Sequence, residues 1–324
     1  MTLQQMYYVL EVAKTGSMNK AAEKLFISQP TLTKAIQETE EEIGFPIFIR
    51  SNRGVALTER GEAFAADIRQ VYNQYHGLMA KYQKAEDKGR KQFGVSTQHY
   101  SFAAKAFVDM VKEFGTLNYD FAYRETTTAA VIDDVADGRS ELGILYRSPF
   151  NERVIDRLLV DHHLRFTPIV KSQAYVYLWA GHPLAKKKAI SFADLEPYPC
   201  LCFEQDGPET AYMAEEILSD RRYPRRVVVR DRASMLNFMV GLLGYTLCSG
   251  IIHRDYNGED YRCIPFQADF GNPNQEMEIG IVERIGELRT PTAQVYVEAM
   301  AKVVLGLFVK RDRPGVRRSH WAVF

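Results

Sequence analysis

Residues 17–44 read SMNKAAEKLFISQPTLTKAIQETEEEIG, and this stretch decides the fold of the first part of the chain. It spells two short helices joined by a tight turn. Ser28 is an N-cap residue whose hydroxyl can accept from the unpaired amides of a first helical turn, and Pro30 suits that turn because its missing N–H would be unpaired anyway. From there Leu32, Ile36 and Ile43 fall on one helical face, while Gln29, Thr33, Lys34 and Gln37 fall away from it. Gly44 supplies a stop. Upstream, Ser17 can cap a helix through Ala21, Ala22 and Leu25, with the alanines small enough for two helices to cross closely and Phe26 and Ile27 forming the turn. The polar edge made by Ser28, Gln29, Pro30, Thr31, Thr33 and Lys34 carries the chemistry a DNA major groove demands. Glutamine pairs bidentately with adenine, threonine hydrogen-bonds or meets a thymine methyl, and lysine reaches guanine or phosphate. On this pattern alone, a solvated face on an ordinary helical pair stays open as the other reading.

The neighbouring segments favour DNA. Leu3, Met6, Leu10 and Ala13 lie on one face of a preceding helix that completes a small core. After Gly44 comes FPIFIRSNRGVALTERG, in which 47–50 and 55–57 form two short strands around the turn 51–54. This makes a winged helix-turn-helix, with Arg53 at the wing tip and Arg50 at its base, both placed for phosphate or minor groove. A long helix follows over 58–88, roughly 46 Å at the usual rise. Phe64, Ile68, Val71, Tyr75, Leu78 and Tyr82 alternate steps of four and three along it. Such a heptad seam calls for a partner helix, hence a dimer with two reading heads at fixed spacing.

Size and charge set the limits. The chain has 324 residues, enough for two or three domains, and its 41 Lys+Arg balance 41 Asp+Glu, so any DNA binding comes from placement rather than net charge. The N-terminus lacks the regions of a signal peptide and no apolar run approaches a membrane span, which gives the expectation of a cytoplasmic protein without membrane contact. Cys200, Cys202, Cys248 and Cys263 form no CxxC pair with a matching histidine cluster, so no metal is expected. No nucleophile motif, phosphate loop or dinucleotide fingerprint is present, and an enzyme is not expected. From residue 93 onward strands and helices alternate: strands at 93–96, 119–124, 142–146, 174–179, 200–204, 227–230 and 245–249, and helices at 102–114, 129–137, 210–218 and 234–243. Two α/β subdomains therefore follow a charged hinge at 86–91.

The block AAEKLFISQPTLTKAIQETEEEIGFPIFIRSNRGVALTERG closely resembles the DNA-binding domain of LysR-type transcriptional regulators, and AGHPLAKKKAISFADL and MVGLLGYTLCSG resemble their effector domain in the same order. Lys34 stands where arginine is commoner in that family, and Ile49 where an acid often precedes Arg50. The resemblance implies a winged helix-turn-helix domain at 1–58 (helix-turn-helix about 18–37), a linker and dimerisation helix at 59–88, and an effector domain at 89–307. That domain would be a two-lobed, periplasmic-binding-protein-like α/β fold, with lobe one at 89–166 plus 265–307 and lobe two at 167–264. Residues 308–324 would be a basic tail, read as a solvated end. The implied partners are double-stranded promoter DNA, a second copy in a homodimer that pairs into a homotetramer, a small-molecule effector, and RNA polymerase; no cofactor is implied. Mapped onto this sequence, the effector would meet Ser96, Thr97 and Gln98, then Thr126, Thr127 and Thr128, and Cys202 and Phe203 from lobe two. Hydroxyls at strand ends beside helix N-termini suit an anion, although helix capping would use the same threonines. The alternatives are a cytosolic small-molecule-binding protein and a regulator that senses redox state through Cys200 and Cys202.

Overall fold

A computed structural model describes residues 1–51, 54–83, 90–206, 210–253, 260–267, 273–309 and 317–318. The chain divides into two compact units, Met1–Lys88 and Gly89–Phe324.

The first unit opens with α1 (Leu3–Thr15), α2 (Met18–Lys24) and α3 (Gln29–Ile43), followed by β1 (Phe48–Ser51), β2 (Gly54–Leu57) and the long α4 (Glu59–Gln83). Each of the first three helices starts on a side-chain cap: Thr2, Ser17 and Ser28 accept from Gln5, Lys20 and Thr31 backbone N–H groups. Gly16 and Gly44 end α1 and α3 in left-handed conformation. Val9, Val12, Ala21, Leu32, Ile36 and Ile47 are fully buried and form the core beneath the three helices. β1 and β2 pair antiparallel from Phe48↔Leu57 to Ser51↔Gly54, and the wing is tied down at both ends. The Glu40 carboxylate on α3 accepts from the Ile47 and Phe48 N–H groups at 2.7 and 3.1 Å, and Val55 N–H donates to the Gly16 carbonyl at 2.9 Å.

Helix α4 differs from the expected 58–88 in what it does with its apolar face. Thr58 does cap it, accepting from Gly61 N–H at 2.8 Å, and the described helix ends at Gln83, so that 25 residues span about 37 Å. Ile68 is only 3% exposed and sits in the core just described, with Phe64 packed against the same cluster. Tyr72 stacks on Tyr7 of α1 at 5.5 Å. The first two positions of the seam are therefore spent inside the monomer. Val71 and Tyr75 stay 46% and 38% exposed, while the side chains of Leu78 and Tyr82 lie outside the described residues.

The second unit holds two sheets. The first contains β3 (Lys91–Thr97), β4 (Tyr119–Glu125), β5 (Leu142–Arg147), β6 (Leu164–Gln173), β12 (Glu276–Arg284) and β13 (Arg317–Arg318), in the order β13-β6-β12-β5-β3-β4. The second contains β7 (Tyr175–Trp179), β8 (Cys200–Phe203), β9 (Arg226–Val229), β10 (Tyr245–Cys248) and β11 (Tyr261–Pro265), in the order β11-β7-β10-β8-β9. In each sheet parallel strands alternate with helices, and antiparallel strands bring the chain across and back. Helices α5 (Ser101–Phe114), α6 (Thr128–Ala136), α7 (Glu152–Asp161) and α11 (Pro291–Val309) belong to the first lobe; α8 (Phe192–Leu195), α9 (Thr210–Met213) and α10 (Arg232–Gly241) follow strands of the second.

Three expectations for the second unit are corrected. β6 pairs with β12 over its whole length, from Leu164↔Arg284 to Gln173↔Glu276, so the first lobe extends through residue 173 and the crossover falls at Ala174 rather than at 166/167. The helix expected at 210–218 stops at Met213, because the next residues turn inward to place Glu215 and Glu216, and Leu218 takes φ +64. In the tail, Arg317–Arg318 adds an edge strand to β6 opposite Lys171 and Val170; the rest of the tail lies outside the described residues.

Candidate nucleic-acid interface and ligand cleft

The base-facing edge of the first unit is built by α3's start. Ser28, Gln29, Pro30, Thr31 and Lys34 are exposed and Thr33 is half-buried, while Leu32 and Ile36 pin the helix to the core. Gln29 Nε2 donates to Thr33 Oγ1 at 3.0 Å, and the Ser28 and Thr31 hydroxyls lie 2.7 Å apart, so the polar edge is ordered within itself. Lys34 approaches Glu38 at 3.8 Å on the surface, a pair weak enough to exchange for phosphate. Phe26, which the sequence suggested only as part of the turn, is 96% exposed and takes φ +55, presenting an apolar ring beside this edge. Arg50 has its backbone in β1 but its side chain is not among the described residues, and Arg53 lies outside them altogether.

In the second unit, a cavity of about 660 Å³, counting the open space at its mouth, lies between the two lobes. Of the eight residues expected to meet a ligand, Phe203 alone is in its wall. The other seven are engaged elsewhere. Ser96 is fully buried and donates to Asp134 at 2.5 Å, with Ser140 at 2.8 Å. Thr97 donates to the Gln98 carbonyl, and its own carbonyl accepts from Thr126 N–H. Gln98 donates to Thr128 and accepts from Tyr100 Oη and Tyr146 N–H. Thr127 caps α6 and bonds Asp206, while Thr128 donates from its N–H to Gln205 and from its hydroxyl to the Met213 carbonyl. Cys202 is buried against Cys200. Gln205, Asp206 and Met213 of the second lobe thus occupy the strand ends expected to meet a ligand.

Beside the cavity, and contributing His99, Glu215, Glu216 and Arg232 to its wall, is a clasp that the sequence did not point out. Glu215 accepts from the N–H of His99 at 2.9 Å and lies 2.9 and 3.1 Å from its Nδ1, and the His99 ring stacks on Phe203 at 3.7 Å with only 3° between planes. Arg232 of α10 reaches Glu125 of β4 at 2.6 Å. Tyr146 Oη donates to the Glu216 carbonyl at 3.1 Å. His99, Tyr146 and Glu125 come from the first lobe, their partners from the second. The one available signal was Glu215-Glu216 interrupting the apolar period of AYMAEEIL. Met235, Met239 and Leu236 of α10 and Tyr177 of β7 supply much of the remaining, largely apolar wall.

Burial pushes the Glu216 carboxyl well above the ordinary carboxylate range, with the charges of Cys202 and Glu215 acting the same way. A carboxyl that the fold holds protonated binds its proton more tightly when folded. Its contribution to stability is therefore full below about pH 4.3 and is lost as the pH rises through the raised value. Thermal melts from pH 4 to 8 should show Glu216→Gln gaining stability relative to the parent as the pH rises. A constant difference across that range would mean that Glu216 ionises without penalty.

The thiols form two close pairs, with Sγ–Sγ distances of 3.7 Å for both Cys200–Cys202 and Cys248–Cys263. The hydrogen bond from Cys200, helped by Arg226, brings Cys202 down to about 7 against the effect of its burial. Cys200 and Cys202 are only 1% and 5% exposed, which keeps oxidants in solution away from them. Among the described residues no cluster of three or more His, Cys, Asp or Glu side chains is arranged to hold a metal ion. No described helix is long and apolar enough to cross a membrane.

Comparison with known proteins agrees with both halves of this architecture. Residues 3–62 match the family model of the bacterial regulatory helix-turn-helix protein, lysR family, and residues 101–304 match the LysR substrate binding domain. The HTH-type transcriptional activator CmpR of Synechocystis sp. is 25% identical over 253 residues, covering 76% of this chain and 79% of that one. The Hca operon transcriptional activator HcaR of Escherichia coli is 26% identical over 285 residues, covering 84% and 88%. Among solved structures, a full-length OxyR variant from Pseudomonas aeruginosa superimposes with a TM-score of 0.50 at 20% identity, covering 94% of each chain, which speaks for the fold alone. With the substrate-binding model spanning more than half of its length and the helix-turn-helix of the same family ahead of it, the chain belongs to the LysR family of bacterial transcriptional regulators.

Proposed function

We propose that this regulator reads promoter DNA with the α3 edge Gln29, Pro30, Thr33 and Lys34, backed by Ser28 and Thr31, and grips phosphate with Arg50 and Arg53. One observation carries this: the polar edge is exposed, with Thr33 half-buried, and internally ordered, while Leu32 and Ile36, on the opposite face, are fully buried. Phe26 joins the edge as an apolar contact for a sugar or a thymine methyl. Two protomers pair through the exposed part of α4 from Val71 and Tyr75 onward, with Leu78 and Tyr82 continuing the seam, so that two heads meet a two-half-site operator. A homotetramer, and contact with RNA polymerase, are the further assembly this function calls for, in the cytoplasm.

A small molecule entering the cavity at Phe203 acts through its differential affinity for two lobe arrangements, and no chemical step is required. The polar groups of the cavity are bonded to one another across the lobes, which suits ligand sensing rather than proton transfer. Burial of Cys200 and Cys202 disfavours the redox alternative, and the helix-turn-helix domain disfavours a binding protein without DNA.

The experiment compares base preference. Gln29→Ala should cost about 1–3 kcal/mol on the sites carrying its base and little on others, as expected for a lost bidentate contact. Arg53→Ala should instead weaken every sequence alike and lower the salt dependence. An equal loss on all sequences from Gln29→Ala would remove Gln29 from base reading.

A further inference from the structure

We propose that the interlobe cavity takes a flat aromatic molecule bearing an amine in preference to one bearing a carboxylate, a proposal that rests on the effector reading above. The wall favours a ring: Phe203 is already stacked on His99, and the thioethers of Met235, Met239 and Met277 can lie against an aromatic face or edge. A carboxylate, by contrast, finds the charged donor described in the wall taken. Arg232, a cation of the wall, is bound to Glu125 at 2.6 Å. The start of α6 is filled by Gln205, which accepts from Thr128 N–H at 3.0 Å, and the start of α10 by Asp231, which accepts from Ser234 N–H at 2.8 Å. At α10, whose first residue Arg232 lines the cavity, the helix N-terminus already holds an acceptor from the protein.

The Glu215 carboxylate of the wall acts in the same direction: it lines the cavity, and a ligand carboxylate beside it would meet like charge. An ammonium group meets acceptors instead. A carboxylate offers about four lone-pair sites, and the bonds from His99 N–H, the His99 ring and Gln205 leave Glu215 capacity for one more donor. Hydrogen bonds of this charged type are the stronger ones.

Calorimetric titration of the full-length protein with two matched pairs tests the proposal: phenethylamine against 3-phenylpropanoate, and tryptamine against indole-3-propanoate. Each amine should bind at least tenfold more tightly than its acid, and Met239→Trp, which fills the cavity, should abolish binding. Leu236→Trp, at another wall position, serves as the block if Met239→Trp fails to melt cooperatively. An acid that binds as tightly as its amine, and is lost when the cavity is filled, overturns the amine preference and leaves the cavity as the effector site. No binding by any of the four, or binding that survives filling of the cavity, overturns both.

Discussion

Ile68→Asp should unfold the reading head, whereas Val71→Asp combined with Tyr75→Asp should leave it folded and separate the protomers. Ile68 is 3% exposed in the core shared by α1, α3 and the wing, so truncation there alone costs about 2–5 kcal/mol. An aspartate adds the cost of a buried, unpaired charge. A head of this size has only about 3–5 kcal/mol in reserve. The expected readout is lost helical signal from the isolated first unit and lost DNA binding. At Val71 and Tyr75, which are 46% and 38% exposed, the same change leaves the buried core of the monomer in place. Light scattering on that double variant should give half the parent mass with its melting behaviour kept. An unchanged mass would reject the α4 seam, and a folded Ile68→Asp head would contradict the packing described for α4.

The second large effect is expected at Glu215. Replacing it with alanine strips the acceptor from the His99 backbone N–H, the His99 ring and Gln205 Nε2, all in a nearly closed environment. Leaving a buried donor unsatisfied costs about 1–3 kcal/mol each, so the loss should be among the largest of any single change in the second unit. Hydrogen exchange should rise in residues 210–218 and around His99, with a lower melting temperature, and Glu215→Gln should recover part of both because it keeps one acceptor oxygen. Unchanged exchange in Glu215→Ala would mean that the lobes are held by other bonds, such as Arg232 to Glu125.

The contrast between these two sites explains which parts were legible in the sequence. Helix α3 could be read from Ser28, Pro30 and Gly44 because caps, breakers and a 3.6-residue period act within the helix itself. The strands at Leu142–Arg147 and Tyr175–Trp179 were legible as short apolar runs for the same local reason. Helix α7 (Glu152–Asp161) lies outside the expected elements although its amphipathic period is strong, so that here a local signal was present and unused. The clasp could not be read. His99 and Glu215 stand 116 positions apart, and Glu215 reaches inward only because the helix expected at 210–218 breaks after Met213. The threonines at 126–128 were read as open to a ligand because sequence marks a polar strand end but not which protein group fills it, here Gln205 and Asp206. The seam on α4 was similarly over-extended: a heptad pattern looks the same whether its first turns face a partner or, as with Ile68, the monomer's own core.

The central claim, that the α3 edge makes this chain a sequence-specific DNA reader working as a pair, is tested most directly by selecting binding sites from random double-stranded DNA with the purified full-length protein. One enriched motif with dyad symmetry, its half-sites about one helical turn or a multiple apart, is the predicted result. No enrichment over the starting pool, with bound DNA released by modest salt, would contradict it.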